Sequence, residues 1–178
     1  MVYDLGIYTH AHDQGEYMAK IPITKAGYEK LKKELEYIRT VSLPENIRDI
    51  EVARAHGDIT ENAEFAAAKE RQSFLQGRIA ELENNLATSY VVSLDGLTTD
   101  KIVFGSIVTL EDTNTGSRIT YQLVGPFESD LKENKISVTS PIGKALIGKT
   151  AGDEVSVKTP GGTREFEIAD ICVVGKKS

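Results

Sequence analysis

The sequence predicts an α+β fold: an N-terminal antiparallel α-helical coiled-coil hairpin followed by a mostly antiparallel β domain. Three observations predict it. Tyr28, Leu31, Leu35 and Ile38 recur at steps of three and four, and so do Leu75, Ile79, Leu82 and Leu86. That spacing keeps one apolar stripe of a helix facing a partner helix. The two stripes also fold onto each other about a single point near Gly57. After residue 100 the pattern changes from helical to alternating, with turn residues between the runs.

Taken in order, residues 1–20 show no clear period and read as a flexible N-terminal extension. His10-Ala11-His12-Asp13 has the residue types of a metal site, but belongs to that tail. The helical hairpin is expected over residues 21–92. Its first seam slips phase at Pro44 and resumes with Leu43, Ile47 and Ile50. A proline inside a helix removes a hydrogen bond and usually kinks the helix. Tyr28 pairs with Leu86, Leu31 with Leu82, Leu35 with Ile79 and Ile38 with Leu75. Ile47 then meets Ala68, and Ile50 meets Phe65. Every midpoint falls within one position of Gly57, which places the tip at residues 56–62. Glycine is the usual residue just past a helix end. Such an arm is about 45 Å long at 1.5 Å per residue. It is too thin to enclose a pocket, so its useful part is its tip or its faces.

Ser93 to Asp100 reads as a linker. The β domain, residues 98–178, opens with strands at Val103–Leu110 and Ile119–Val124. Val155–Lys158 and Phe166–Ile168 form a hairpin around Pro160-Gly161-Gly162. One short helix is expected near Lys144–Ile147.

A net charge of −6 argues against a protein that coats nucleic acid by bulk charge. Any nucleic-acid contact is therefore local. No apolar run is long enough to span a membrane, which takes about 18 or more residues. The start lacks a secretory pattern. Cys172 is the only cysteine, so no internal disulfide is possible. A cytoplasmic location is expected. Cys172 lies in the run Ile171-Cys172-Val173-Val174 and reads as core.

The tip carries the chemistry. Asp58 and Glu61 are three apart, which places both on one face of a helical turn. Two carboxylates on a projection suit a hard divalent cation such as Mg²⁺, which is commonly held by one or two carboxylates with waters and phosphates. They cannot hold it tightly alone, but they complete a site half built by another macromolecule. Asp58-x-x-Glu61 is equally a capping-box pattern, in which Asp58 caps the second helix and Glu61 reaches back. The two readings are compatible, because a cap also holds a carboxylate in place. Arg54 and Lys69 lie one on each helix near the tip and suit an RNA backbone. Arg71 and Arg78 read as solvated charge paired with neighbouring glutamates. No aromatic platform for base stacking is evident, so no sequence-specific reading of DNA or RNA is expected.

The run His56-Gly57-Asp58-Ile59-Thr60-Glu61-Asn62-Ala63-Glu64-Phe65, then Ala67-Ala68-Lys69-Glu70, strongly resembles the signature of the Gre transcript-cleavage factors. Ser140-Pro141-Ile142-Gly143-Lys144-Ala145-Leu146-Ile147-Gly148-Lys149, then Gly152-Asp153-Glu154-Val155, resembles the loop and helix of that family's C-terminal domain. The Thr159-Pro160-Gly161-Gly162 turn is similar as well. The resemblance runs from about residue 21 to the end and is greatest to the less basic, GreA-like branch. Phe65 stands where tyrosine is common in the family.

The resemblance implies an FKBP-like C-terminal domain that docks on bacterial RNA polymerase through Ser140, Pro141 and Ile142. The coiled coil would enter the secondary channel. Asp58 and Glu61 would help hold a second Mg²⁺ shared with the polymerase, and Arg54 and Lys69 would contact the 3′ end of backtracked nascent RNA. The polymerase would then cut that RNA itself. The chain would be a catalytic accessory, not an enzyme when alone, and Mg²⁺ would not be bound stably without the polymerase. The resemblance also implies that Pro141→Asp or Ile142→Asp weakens docking without unfolding the domain.

Three rivals stand beside this reading. A Gre-like paralogue would occupy the same channel and inhibit the polymerase, although such relatives tend to depart from the tip sequence found here. A prolyl isomerase would need an aromatic-rich pocket, and only Phe104, Tyr121, Phe127 and Phe166 are available in that region. A plain scaffold would be indifferent to loss of the tip charges.

Overall fold

The computed structural model describes residues 20–55, 63–159 and 162–173. The expectations for residues 1–20, for the tip at 56–62 and for the Pro160-Gly161 turn fall wholly or mainly outside these residues. The α+β class is as expected: a long helical hairpin and a mostly antiparallel five-stranded sheet.

The chain enters through a short strand, β1 (Ile21–Thr24), and turns into α1 (Lys25–Tyr37). Thr24 starts the helix, its hydroxyl accepting the Gly27 N–H at 3.0 Å. This cap satisfies one of the helix's free N–H groups. A π-helical turn, Ile38–Ser42, joins α1 to α2 (Leu43–Ala55), with the Leu43 N–H donating to the Ile38 carbonyl. The π turn inserts one extra residue between the seams, and this insertion is the phase slip seen in the sequence. Pro44 lies within this unbroken helical run, in the first turn of α2 directly after the π turn.

The returning helix, α3 (Ala63–Thr88), runs back along both. Leu31, Ile38, Leu75 and Leu82 are buried between the helices together with Ile23. Tyr28, Leu35, Leu43, Ile79 and Leu86 pack against them. The expected seam residues up to the π turn are therefore all gathered in one cluster between the helices. Beyond it the expectation for Ile47 fails: its side chain is 43% exposed. Asn46 takes the seam position instead, fully buried, its Nδ2 donating to the Ala68 carbonyl at 2.9 Å. The seam reads Leu43, Asn46, Ile50, Ala53, at heptad steps of three, four and three.

Helix α3 runs directly into β2 (Ser89–Val92), which pairs in parallel with β1, Ile21 opposite Ser89. These two strands close the base of the arm.

The sheet domain follows. Its strands are β3 (Ser106–Asp112), β4 (Arg118–Val124), β5 (Lys135–Ser137), β6 (Glu154–Thr159) and β7 (Gly162–Val173), in the order β5-β4-β3-β7-β6. Only β4 and β5 run parallel. β7 is long enough to serve two neighbours, pairing with β6 along its first half and β3 along its second. The register shifts between Thr109 and Leu110, so that Thr109 faces Asp170 and Leu110 faces Ile168. Such a bulge bends a strand, and here it curls the sheet. The helix α4 (Pro141–Leu146) begins three residues earlier than expected. Leu146 closes the core with Val108, Leu110, Leu123, Ile136 and Ile168.

Cys172 is not in that core. Its neighbours Ile171 and Val173 face inward, and alternation along the strand turns Cys172 to the half-exposed face, where its thiol donates to Asp170.

Candidate functional site

The described ends of the two long helices, Ala55 and Ala63, flank the tip. Asp58 and Glu61 lie between them in sequence, outside the described residues. The arm immediately beneath the tip is defined. Ile50 and Ala53 are buried against α3. Arg54, one residue from the end of α2, is exposed and lays its guanidinium over the Phe65 ring, 5.6 Å from its centre. A cation at a helix C-terminus is favoured by the helix dipole, and its contact with an aromatic face ties one helix to the other. The sequence pointed to Arg54 but missed Phe65 as its seat.

Lys69 lies one turn further along α3, exposed, its Nζ donating to Gln72 Oε1 at 2.7 Å. Arg54 and Lys69 thus stand on different helices, both open to an incoming chain. Below them Arg71 reaches across to Asp49 at 3.3 Å. Arg78 reaches Glu34 at 2.7 Å and Glu81 at 2.8 Å. Hydrogen bonds donated to Glu34 and then to Glu81 raise the Arg78 pKa still higher, so this cation is permanent. Arg71 and Arg78 are cross-hairpin struts as well as solvated charge.

At the other end of the molecule, Ser140, Pro141 and Ile142 open α4. The Ser140 hydroxyl accepts the Gly143 N–H at 3.1 Å and donates to the Ser137 carbonyl at 2.6 Å. Pro141 occupies the first helical position and is exposed. Ile142 is half buried and packs on the sheet core. The three candidates are therefore unequal. Ser140 holds the loop in shape and Pro141 offers a surface. Ile142→Asp would also disturb packing against the sheet core, so Pro141→Asp is the cleaner test of docking.

Between the two ends lies a junction that the sequence did not reveal. Phe127, on a 3₁₀ turn at Pro126–Glu128, packs into the hydrophobic cluster of the arm. Beside it the Glu128 carboxylate receives the Thr24 N–H at 2.8 Å, the Thr24 hydroxyl at 2.5 Å and the Gly125 N–H at 3.0 Å. Phe127 is thereby committed to the junction, while Phe104 and Phe166 are buried.

Among the described residues no helix is long and apolar enough to cross a membrane, and no group of three or more His, Cys, Asp or Glu converges.

Two family models match the chain. Residues 21–91 match the N-terminal model for transcription elongation factors, and residues 97–172 match the GreA/GreB C-terminal model. Transcription elongation factor GreA of Syntrophus aciditrophicus is 64% identical over 156 residues, 88% of this chain and 97% of that protein. Transcription elongation factor GreA of Pelobacter propionicus is 55% identical over 151 residues, covering 85% and 96% of the two chains. Among solved structures, Thermus aquaticus Gfh1 is 38% identical, covers 85% of this chain and 97% of its own, and superposes with a TM-score of 0.40. With both family models matched in order along one chain, this protein belongs to the GreA/GreB family of transcription elongation factors.

Proposed function

We propose that this transcription elongation factor inserts its arm into the secondary channel of bacterial RNA polymerase and stimulates the polymerase's own cleavage of backtracked nascent RNA. The observation that supports the reading is that the run His56-Gly57-Asp58-Ile59-Thr60-Glu61-Asn62-Ala63-Glu64-Phe65 falls, in sequence, where α2 gives way to α3 in a long paired-helix arm. An arm of roughly 45 Å reaches a site deep within a much larger enzyme.

Asp58 and Glu61 supply oxygen donors of the type Mg²⁺ takes, too few to retain it alone. They therefore act only where the polymerase's aspartates complete the site. Bound there, the second Mg²⁺ would stabilise the attacking and leaving oxygens of phosphodiester hydrolysis. The carboxylates raise the ion's occupancy and orient the attacking water. Arg54 and Lys69 neutralise the extruded RNA backbone as it passes the tip. Pro141 offers the sheet domain's contact with the channel rim. The chain is an accessory in the cytoplasm, without turnover of its own.

The test is a halted, backtracked elongation complex carrying labelled RNA. Wild-type protein shortens the RNA from its 3′ end. Asp58→Ala and Glu61→Ala each lower the stimulated rate by about 100-fold, the scale of removing one charge-stabilising group, while polymerase binding persists. Normal cleavage by either variant removes that residue from the metal site. Arrest of extension without shortening overturns the reading.

A further inference from the structure

One covalent link, residues 93–101, joins the arm to the sheet domain. A single link fixes no direction. The orientation of the arm must therefore come from the contacts at its base. Phe127 enters the arm's cluster. Lys30 meets Glu133 at 3.2 Å, with both side chains largely exposed. Between them sits the Glu128 carboxylate, bound by Thr24 and Gly125.

Two glycines make that binding possible. A Cβ on Gly27 would lie 2.0 Å from Glu128 Oε2, and a Cβ on Gly125 would lie 2.0 Å from the Pro22 carbonyl oxygen. Both positions permit an approach that any other residue would block. Thr24 is also the cap of α1, and its hydroxyl both accepts from Gly27 and donates to Glu128. The start of the arm and the 3₁₀ turn of the sheet domain thus share one hydrogen-bonded unit.

We propose that Glu128 is a positioning residue for stimulated cleavage: clasped by Thr24 and Gly125 in the space left by Gly27, it fixes the direction in which the arm leaves the docking domain. The consequence rests on leverage. A rotation of about 10° at the base displaces the far end of a 45 Å arm by about 8 Å. Functional carboxylates need placement to within about 0.5 Å. Any orientation the base leaves free must be found again at each encounter inside the channel. The proposal rests on the cleavage reading above, so its test includes a measurement that does not.

Spin labels at Ser73→Cys and Lys158→Cys, in a Cys172→Ser background, report the distance between arm and sheet domain in the free protein. The distribution is narrow with Glu128 and broadens with Glu128→Ala. Gly27→Ala provides the second lesion: it strengthens α1 but displaces the carboxylate, so it broadens the distribution without lowering the melting temperature. In the cleavage assay both variants lower the maximal stimulated rate about tenfold or more, the scale of a small misplacement. The concentration giving half-maximal stimulation changes less than twofold. Glu128→Gln keeps the Thr24 and Gly125 acceptor and recovers most of the rate. Unchanged distance distributions in both variants overturn the proposal, as does a wild-type maximal rate or a loss confined to affinity. A wild-type protein that fails to cleave, with distributions that broaden as expected, overturns the cleavage reading and leaves the clasp standing.

Discussion

Along the arm each buried side chain meets mainly the one helix opposite, whereas in the sheet domain Leu110, Leu123, Leu146 and Ile168 are enclosed by strands and a helix together. Among the described residues the arm buries Leu31, Ile38, Leu75 and Leu82 along its seam, and beyond the π turn Asn46, Ile50, Ala53 and Ala68, with Leu43 half buried. The sheet core gathers residues from Ile102 to Ile171. The contrast shows how one chain divides its tasks. The sheet domain concentrates apolar burial and is the stable body. The arm spends its residues on length, and its precision rests on register, struts and a fixed base.

The largest test of this contrast is one substitution made in both regions. Leu123→Ala, at a fully enclosed site, is expected to cost about 4 kcal/mol. Leu75→Ala, 7% exposed between two helices, is expected to cost about 2 kcal/mol, because neighbours at a thin interface close more of the gap. Urea unfolding followed by circular dichroism measures both. Equal losses would mean that the arm is packed as tightly as the domain.

Asn46 sharpens the comparison from the arm's side. It occupies a seam position without being apolar, and its Oδ1 is buried with no protein partner among the described residues. A lone polar residue at such a position specifies register at some cost in stability. Asn46→Leu is expected to stabilise the arm by about 1 kcal/mol and to loosen its alignment. A raised melting temperature should accompany a lower maximal cleavage rate. A variant that is both more stable and fully active would show that Asn46 carries no register information.

Asn46 also marks where sequence reading stopped. The apolar count placed Ile47 on the seam because it saw only apolar residues, and the true heptad step passed through an asparagine. The slip in phase was legible, but its cause was assigned to Pro44 when the extra residue lies upstream in the π turn. Long seams of regular period were readable because each helix states its own burial. β1, β2 and β5 were not, since segments of three or four residues acquire strand character only from the partner that folding brings to them. The Glu128 clasp was invisible for the same reason: Thr24 and Glu128 are far apart in sequence. The tip was legible as a motif, and Arg54 and Lys69 as its cations, but nothing in residue order signalled that Phe65 seats Arg54.

Acid should separate the regions next. The Arg164 guanidinium, 2.5 Å from Asp112, holds that carboxylate below its ordinary value, helped by the Thr115 and Asn114 N–H groups. Thr150 does the same for Asp153 through its N–H and hydroxyl. Lys135 and then Lys30 depress Glu133. A lowered carboxylate contributes stability that is complete above its unfolded pKa, about 4, and is lost as the pH falls through the folded value. The urea midpoint should therefore be flat from pH 7 to about 5 and fall below 4. Asp112→Asn should be less stable at neutral pH and show a shallower acid decline. An unchanged decline would remove the Asp112–Arg164 pair from the acid response.

The smallest effect belongs to the struts. Arg71 and Asp49 meet at 3.3 Å with both side chains about half exposed. Exposed pairs of this kind contribute about 0.2–1 kcal/mol and weaken with salt. Arg71→Ala, Asp49→Ala and the double variant form a cycle whose coupling should be about 0.5 kcal/mol at low salt and near zero at 1 M. The reason is geometric. Holding the long Arg71 side chain against Asp49 in water loses about as much rotamer freedom as the attraction gains, so the strut selects one alignment of the helices more than it strengthens them. A coupling above about 1.5 kcal/mol that survives high salt would show instead that the arm draws substantial stability from its charged faces, and the division between a stable body and a register-held arm would have to be redrawn.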